Sequence, residues 1–79
     1  MPKVKVYSTP TCPWCNVVKE FLASNRIGFE DVNVASDRNA AREMIEKTGQ
    51  KGVPVIEIDG QYVIGFDEKK LKKMLGIGD

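Results

Sequence analysis

Cys12 and Cys15 are the residues whose type and spacing predict covalent chemistry, and the chain has no other cysteine. If the segment after Pro13 is a helix, residues three positions apart lie on one face about a turn apart, so the two sulfurs can join. A disulfide that closes so short a loop removes little entropy from the unfolded chain and would be a poor structural cross-link. The pair is therefore predicted to be a redox-active dithiol.

The two sulfurs are predicted to have different roles because they lie at different depths in the helix. Cys12, at or just before the first turn, lies near unpaired backbone N–H groups and the positive end of the helix dipole, which favour a thiolate. A lowered pKa would make Cys12 the attacking sulfur. Cys15 lies one turn deeper, where it can attack a mixed disulfide formed at Cys12. Pro13 fits the first helical position, which needs no N–H donor.

The composition is that of a single small domain, and we expect residues 1–79 to form it. The apolar runs are far shorter than the roughly 20 residues of a membrane span, and the N-terminus lacks a signal-peptide pattern, which predicts a cytoplasmic protein with no membrane partner. A net charge of +1 gives no reason to expect a nucleic acid partner. Because the chain has no histidine and two cysteines, a Cys–His nucleophile pair and a closed four-ligand zinc site are excluded within one chain.

Apolar periodicity predicts strand, helix and strand in the first half of the chain. Residues 3–7 alternate between charged and apolar side chains, and polar residues separate the apolar ones in residues 29–34, so both segments are predicted to be strands. Between them a helix is predicted from Pro13 to about residue 24 or 26, with Gly28 as its C-terminal stop. Its apolar stripe consists of Val17, Val18, Phe21 and Leu22.

A second helix is predicted in the middle of the chain. Ser36 or Asp37 can cap it, and Gly49 is expected to end it. Glu43 and Lys47 are spaced for a surface ion pair. The face predicted to be buried consists of Ala40, Ala41, Met44 and Ile45.

The last part of the chain is predicted to be a hairpin followed by a third helix. Strands at residues 53–58 and 61–64 flank Asp59-Gly60, a two-residue turn typical of antiparallel hairpins. After Gly65 and Phe66, Asp67 can cap the last helix. The buried stripe of that helix consists of Leu71, Met74 and Leu75.

The element order is therefore β-α-β-α-β-β-α, which predicts an α/β fold with a mixed four-stranded sheet and three helices. The first β-α-β unit is expected to have parallel strands, and the hairpin is expected to extend the sheet. A C-x-x-C pair at the end of the first strand of such a unit is typical of a thioredoxin-like redox fold.

Four segments, in their order and spacing, resemble the glutaredoxin family. They are residues 6–15 with Cys12-Pro13-Trp14-Cys15, residues 52–56 with Val53-Pro54, the Asp59-Gly60 turn, and Gly65-Phe66-Asp67. The resemblance implies a thioredoxin fold, with Cys12 as nucleophile, Cys15 as resolving thiol and a cis Val53–Pro54 bond facing them. It also implies an oxidoreductase that reduces protein or glutathione mixed disulfides, has no resident cofactor and is recycled by glutathione.

The resemblance further implies how glutathione or a client protein binds. Val53 would offer its backbone to the substrate peptide, as in the addition of a strand, and Gly65-Phe66-Asp67 would hold the γ-glutamyl end. Trp14, between two cysteines at a helix start, is expected to point outward, where it can contact a partner. The predicted substrate contacts are Thr11, Pro13, Trp14, Val53, Pro54, Gly65, Phe66 and Asp67.

Three positions differ from what many glutaredoxins have. A basic residue is common at the position of Thr9, a threonine at that of Gly52 and a second glycine at that of Ile64, so these differences concern glutathione binding rather than the dithiol. The small redoxins that serve ribonucleotide reductase share the chain length and the Gly65-Phe66 feature. Because those redoxins are reduced by a flavoprotein thioredoxin reductase, that enzyme is the alternative reductant.

Two alternatives come from other classes of protein. In a cluster carrier, two chains would each contribute Cys12 to a [2Fe–2S] centre, with two glutathione thiols completing the ligands. Pro13 stiffens the loop and Cys15 is available, which favours redox chemistry instead. A binding module without catalysis is disfavoured by the presence of both cysteines. The chain lacks an evident apolar seam and is expected to be a monomer.

Overall fold

A computed structural model describes residues 3–77 of the chain. Within this range the strands and helices follow the predicted order β-α-β-α-β-β-α, which confirms it. The elements are β1 (Val4–Ser8), α1 (Pro13–Ser24), β2 (Glu30–Asn33), α2 (Arg38–Thr48), β3 (Val55–Ile58), β4 (Gln61–Ile64) and α3 (Glu68–Leu75).

The four strands form one mixed sheet in the order β2-β1-β3-β4. β1 is parallel to β2 and antiparallel to β3, so that Val6 lies between Asp31 and Ile56. β3 and β4 form the predicted antiparallel hairpin. Because β1 has a neighbour on each side, the loop that follows it starts from the middle of the sheet rather than from an edge.

Helices cover both faces of the sheet, so both faces of β1 are buried. Side chains alternate along a strand, and Val4 and Val6 therefore face one side while Tyr7 faces the other. The larger core lies between the sheet and the helices α1 and α3, and its buried residues are Val4, Val6, Val18, Leu22, Ile56, Ile58, Val63 and Leu71. The smaller core lies under α2, and its buried residues are Tyr7, Met44 and Val55.

The helix α1 ends through Arg26 rather than through Gly28. The Arg26 N–H donates to the Ala23 carbonyl at 3.0 Å, and the Ile27 N–H donates to the Leu22 carbonyl at 2.9 Å. Arg26 has a φ of 59°, the left-handed conformation that glycine usually provides at this position of a helix end. The prediction that Gly28 stops the helix is wrong, because these bonds close the last turn two residues earlier.

The ends of α2 are as predicted, but its buried face is narrower. Asp37 caps the helix, its Oδ1 accepting the Ala40 N–H at 3.0 Å, and Gly49 ends it with a φ of 71°. Met44 is 1% exposed, whereas Ile45, about 100° further round the helix, is 38% exposed. The prediction that Ile45 is buried is therefore wrong. The predicted ion pair is also absent, since Glu43 and Lys47 do not pair within residues 3–77.

The hairpin has the predicted turn, but its first strand is shorter than predicted. Asp59 and Gly60 both have positive φ values, 49° and 86°, as a two-residue hairpin turn requires. β3 begins at Val55, not at Val53, because Pro54 has no N–H to contribute to a strand ladder. Val53 and Pro54 instead form a connection that leads into the strand.

Candidate active site

Cys12 caps the N-terminus of α1, immediately after the loop that leaves β1. Its backbone is extended (φ −97°, ψ 108°), and Pro13 occupies the first helical position as predicted. The Cys12 N–H donates to the Thr9 carbonyl at 3.3 Å, and the Asn16 N–H donates to the Cys12 carbonyl at 3.4 Å. These bonds hold Cys12 between the end of the central strand and the first turn of the helix.

The Cys12 sulfur accepts a hydrogen bond from the backbone N–H of Cys15 at 3.0 Å. This is the bond that the side chain of serine, threonine or aspartate usually makes at a helix start, with sulfur in place of oxygen. Because a backbone donor and the helix dipole both stabilise negative charge, this position favours the thiolate once the cysteine is reduced. The sequence predicted that backbone N–H groups at the helix start stabilise the Cys12 thiolate, and the structure identifies the Cys15 N–H as one of these groups.

Cys12 and Cys15 form a disulfide, with their Cα atoms 5.2 Å apart. Cys12 is half-buried, whereas Cys15 is completely buried. A disulfide in another molecule can therefore approach Cys12 and not Cys15. This difference in access supports the roles predicted for the two sulfurs.

An open groove of about 290 Å³ adjoins the first turn of α1, between the two cysteines. Its lining residues are Trp14, Val53, Pro54, Gly65 and Phe66. The Val53–Pro54 bond is cis, as the resemblance implied. The Gly65 N–H donates to the Pro54 carbonyl at 2.9 Å, which ties together two of the segments that form the groove. Three segments that are distant in the sequence therefore form one surface.

Phe66 is the centre of an aromatic contact that links the groove to α1. The rings of Trp14 and Phe66 are stacked, with centroids 6.3 Å apart and planes 24° from parallel. Phe21 meets Phe66 edge-on at 5.6 Å. Trp14 is 61% exposed, which confirms its predicted outward position. The helical periodicity of the sequence identified Phe21 only as a core residue, and its support of Phe66 could not be read from that pattern.

The other predicted contacts, Thr11, Pro13 and Asp67, are not among the residues that line the groove. Thr11 and Pro13 are exposed on either side of Cys12. Asp67 caps α3 as predicted, and its Oδ1 accepts the Lys70 N–H at 3.2 Å. The Asp67 carboxylate thus already occupies one donor of the helix start that was predicted to hold the γ-glutamyl end.

Within residues 3–77, none of the side chains that line the groove is charged. The exposed ring of Trp14 adds apolar surface to this lining. Such a surface suits apolar partner atoms better than carboxylates.

A polar cluster that the sequence did not reveal lies beside the cysteine loop. The Ser8 hydroxyl donates to Asp31 Oδ1 at 2.7 Å, and the Lys19 ammonium donates to Asp31 Oδ2 at 2.9 Å. The bond from Ser8 and, next, that from Lys19 hold the pKa of Asp31 below its ordinary value. Because Ser8 precedes the loop and Lys19 follows it, the cluster fixes both flanks of the loop to β2.

A second polar contact lies on the opposite face of the sheet. The Tyr7 hydroxyl donates to Glu57 Oε1 at 3.1 Å, and the Tyr7 residue is 2% exposed. Burial, and after it the bond to a carboxylate, raise the pKa of Tyr7. This bond joins β3 to β1, the strand that leads into the loop before Cys12.

No helix in residues 3–77 is both long and apolar enough to cross a membrane. In the same part of the chain, no group of three or more His, Cys, Asp or Glu side chains is arranged to hold a metal ion.

The family model and the most similar relatives both indicate the glutaredoxin family. The glutaredoxin family model matches residues 4–63. A glutaredoxin-like 8.6 kDa protein from the rubredoxin operon of Clostridium pasteurianum is 50% identical over 72 residues, which are 91% of this chain and 96% of that protein. Glutaredoxin 3 of Escherichia coli K12 is 39% identical over 86% of this chain and 82% of its own length.

Two further similarities concern thioredoxin-like proteins and near relatives of glutaredoxins. The glutaredoxin-like protein NrdH of Lactococcus lactis is 32% identical over 90% of this chain and 97% of its own length. Among solved structures, a single-substitution mutant of the thioredoxin-like protein BC3987 superposes with a TM-score of 0.91 and is 37% identical. This superposition covers 99% of this chain and all of the other, so the thioredoxin fold is confirmed over nearly its whole length.

Proposed function

The chain belongs to the glutaredoxin family, and on this basis we propose that it is a dithiol thiol–disulfide oxidoreductase. Cys12 provides the attacking thiolate and Cys15 the resolving thiol. The substrates are disulfides within client proteins or between a protein and glutathione. The observation that carries this proposal is the bond from the Cys15 N–H to the Cys12 sulfur, because it stabilises charge on the accessible sulfur of the pair.

In the reductive direction, the Cys12 thiolate attacks one sulfur of the substrate disulfide, and the other sulfur leaves as a thiolate that takes up a proton. Cys15 then loses its proton and attacks the Cys12 sulfur, and the second substrate thiolate leaves and is protonated. The substrate gains two electrons and two protons. The protein loses two electrons and the Cys15 proton, and the second proton comes from the solvent, which received it when Cys12 ionised. The Cys12–Cys15 disulfide of the structure corresponds to this oxidised product.

Glutathione is the reductant that restores the dithiol in this proposal. Two glutathione molecules supply two electrons and two protons, and they leave as glutathione disulfide. Contacts to the tripeptide come from the Val53 backbone and from Gly65 to Asp67. A resident cofactor is not needed, because the two sulfurs carry the electrons themselves. We place this activity in the cytoplasm and assign it to the monomer.

A flavoprotein thioredoxin reductase is the second candidate reductant. The uncharged lining of the groove favours it, since the lining residues in the described part of the chain offer no cation to the two carboxylates of glutathione. The similarity to the glutaredoxin-like protein NrdH also supports it. The pairing of Cys12 with Cys15, in turn, supports either redox proposal over the cluster carrier, which uses the Cys12 sulfur as an iron ligand.

The test is a coupled assay in which NADPH oxidation is followed with the purified protein and a disulfide acceptor. One reaction contains glutathione and glutathione reductase, and the other contains thioredoxin reductase alone. The Cys12→Ser variant is the control in both, since it lacks the attacking sulfur but retains the fold-forming contacts of its neighbours.

Turnover with glutathione supports the proposal as stated. Turnover with thioredoxin reductase alone supports the oxidoreductase activity and identifies thioredoxin reductase, not glutathione, as the reductant. If the wild-type protein is no faster than Cys12→Ser in both reactions, the proposed activity is wrong.

A further inference from the structure

We propose that the outer edge of β4 binds an extended, acidic segment of another protein as a fifth strand of the sheet. Along this segment, acidic and apolar side chains alternate. The site is separate from the cysteine pair, and the inference does not rest on the proposed oxidoreductase function.

The first support is a set of outward-facing backbone groups on β4. This strand is the last in the sheet, and within residues 3–77 no strand pairs with its outer side. The Gly65 N–H donates to the Pro54 carbonyl, so the backbone groups of Gly65 face the β3 side. Because this direction alternates along an antiparallel pair, Val63 also faces β3, whereas Tyr62 and Ile64 face outward. Each of these two residues offers one N–H and one C=O to an added strand.

The second support is a difference between the two edges of the sheet. β2, at the opposite edge, carries Glu30 and Asp31, and charged side chains on an edge strand discourage the addition of another strand. β4 contains no charged residue, and Ile64 is 51% exposed. Outward-facing backbone groups give an added strand its affinity, and adjacent side chains give it specificity. The edge of β4 is therefore the one that can accept a strand.

The face of β4 on the α2 side favours apolar side chains in the added strand. Tyr62 and Ile64 share this face, and Tyr62 packs against the smaller core. Burial, and after it the charges of Glu57 and Glu43, raise the pKa of Tyr62, so both carboxylates lie close to this face. Residues directly opposite each other in an antiparallel pair point to the same side of the sheet. Those opposite Tyr62 and Ile64 are therefore expected to be apolar, because the two carboxylates repel acidic ones.

The other face of β4 lies on the same side of the sheet as α3. Val63 belongs to the larger core together with Leu71 of α3. Met74 of α3 and Gln61 of β4 line one surface depression, so the helix reaches the outer strand. A strand added beyond β4 would therefore have α3 beside it on this face.

The charge of α3 favours acidic side chains on that face. Lys72 pairs at 3.4 Å with Glu68, which is the acidic residue of the helix. Three further lysines of α3 are exposed and make no ion pair in the described part of the chain: Lys69, Lys70 and Lys73. The partner residue opposite Val63, and those two positions away on either side, point toward α3 and are expected to be acidic.

A second copy of this chain suits the edge less well than an acidic partner. Two β4 strands paired about a two-fold axis would place the basic helix α3 of both copies on the same side of the joined sheet, where like charges repel. On that side β4 presents Gln61 and Val63, and neither residue is acidic. The charge pattern therefore favours a different chain as the occupant.

The test is an NMR titration of the isotope-labelled, oxidised protein with three peptides at low ionic strength, where surface charges are least screened. The acidic probe is acetyl-Ser-Glu-Val-Glu-Val-Glu-Ser-amide, and in the other two probes every glutamate is replaced by glutamine or by lysine. The changes in chemical shift give a dissociation constant for each peptide. Amide hydrogen exchange reports whether the N–H groups of Tyr62 and Ile64 become hydrogen-bonded.

We expect the acidic peptide to bind about tenfold more tightly than the lysine peptide, because three exposed charge pairs change from attractive to repulsive between the two complexes. The glutamine peptide should lie between them. The largest shifts should occur at Tyr62 and Ile64, and amide exchange at these two residues should slow on binding. Exchange at Val63, whose N–H already faces β3, should change little.

Replacing Lys69, Lys70 and Lys73 together with glutamine should bring the ratio of the acidic to the lysine peptide close to one. The matched control replaces three exposed cations of α2, on the opposite face of the sheet, and lowers the net charge equally. It should leave the ratio near tenfold. Its substitutions are Arg38→Gln, Arg42→Gln and Lys47→Gln.

The apolar half of the pattern is tested at Ile64. Ile64→Ala should weaken binding of the acidic peptide about fivefold, because the added strand covers part of this side chain. Val17→Ala is the control, since it removes an exposed apolar side chain on α1. It should leave the dissociation constant unchanged.

Four results would overturn the proposal. They are equal affinity for the three peptides, an unchanged ratio in the α3 variant, the largest shifts at Trp14 and Val53 instead of β4, and pairing of β4 with a second copy in place of the peptide. Because no redox step enters the titration, these results leave the proposed oxidoreductase function to its own assay.

Discussion

The buried hydroxyl of Tyr7 provides a test of the structure that does not depend on the activity. Replacing Tyr7 with Phe removes the bond to Glu57 at 3.1 Å and leaves the ring, which is buried in the smaller core, in place. A hydrogen bond to a charged group contributes about 1.5–3 kcal/mol, and Glu57 is only half-buried, so that water can replace part of the bond. We therefore expect Tyr7→Phe to lower the free energy of unfolding by about 1–2 kcal/mol at pH 7.

The same contact predicts how this loss depends on pH. The pKa of Tyr7 is raised by burial and by Glu57, so the folded protein holds the phenolic proton more tightly than the unfolded chain. This contribution to stability is complete below the ordinary tyrosine pKa of about 10 and is lost as the pH rises through the folded pKa. At pH 11 the loss from this one proton is about 1.4 kcal/mol in the wild type. The difference between wild type and Tyr7→Phe should therefore shrink by about that amount between pH 7 and pH 11.

The assay is urea unfolding of the oxidised protein at pH 7, 9 and 11, followed by circular dichroism. Tyr62→Phe is the control, because Tyr62 is a half-buried tyrosine on β4 whose pKa is also raised, mainly by burial. It should change the pH dependence less than Tyr7→Phe. An equal difference between wild type and Tyr7→Phe at pH 7 and pH 11 would refute the inferred contact with Glu57.

The cysteines, the end of α1 and the Asp31 cluster can be tested by single substitutions. Cys12→Ser should abolish turnover in the coupled assay, whereas Cys15→Ser should retain reduction of glutathione mixed disulfides, because that reaction needs one thiol. Wild-type activity in Cys12→Ser would contradict the assignment of Cys12 as the nucleophile and Cys15 as the resolving thiol. Arg26→Gly should raise the free energy of unfolding, measured by urea unfolding, by about 0.5–1 kcal/mol, because glycine adopts the φ of 59° without a Cβ clash. If Arg26→Gly is no more stable than Arg26→Ala, the left-handed backbone of Arg26 is not strained. The lowered pKa of Asp31 contributes stability that is present above about pH 4 and is lost as the pH falls through the folded pKa. The free energy of unfolding of Asp31→Asn should therefore fall less steeply than that of the wild type below about pH 4. An equally steep fall in both proteins would contradict this prediction.

Several local features of the structure agree with what short-range sequence patterns predict. Asp37 and Asp67 cap their helices, Asp59-Gly60 forms the hairpin turn, and Cys12 begins α1. Each of these features depends on residues within about one helical turn or one hairpin, where backbone geometry and side-chain chemistry act locally.

Local patterns mislead where the surroundings decide between alternatives. Gly28 is a better helix stop than Arg26 by intrinsic preference, yet the bonds at Ala23 and Leu22 place the turn at the arginine. Ile45 fits the apolar periodicity of α2, but Met44 alone of the two faces the smaller core. Local backbone bonds in the first case and packing against the sheet in the second outweigh a preference of about one kcal/mol or less.

The reactive pair and the order of the elements follow from the amino-acid pattern alone, because hydrophobic periodicity and the C-x-x-C spacing are properties of neighbouring residues. Which side chains meet at the site depends instead on the tertiary fold. Ser8 and Asp31 bond across 23 residues, and the groove is assembled from the first turn of α1, the Val53–Pro54 connection and Gly65-Phe66 between β4 and α3. Such contacts depend on how strands pair and helices pack, and one sequence without its fold contains no local signal for them.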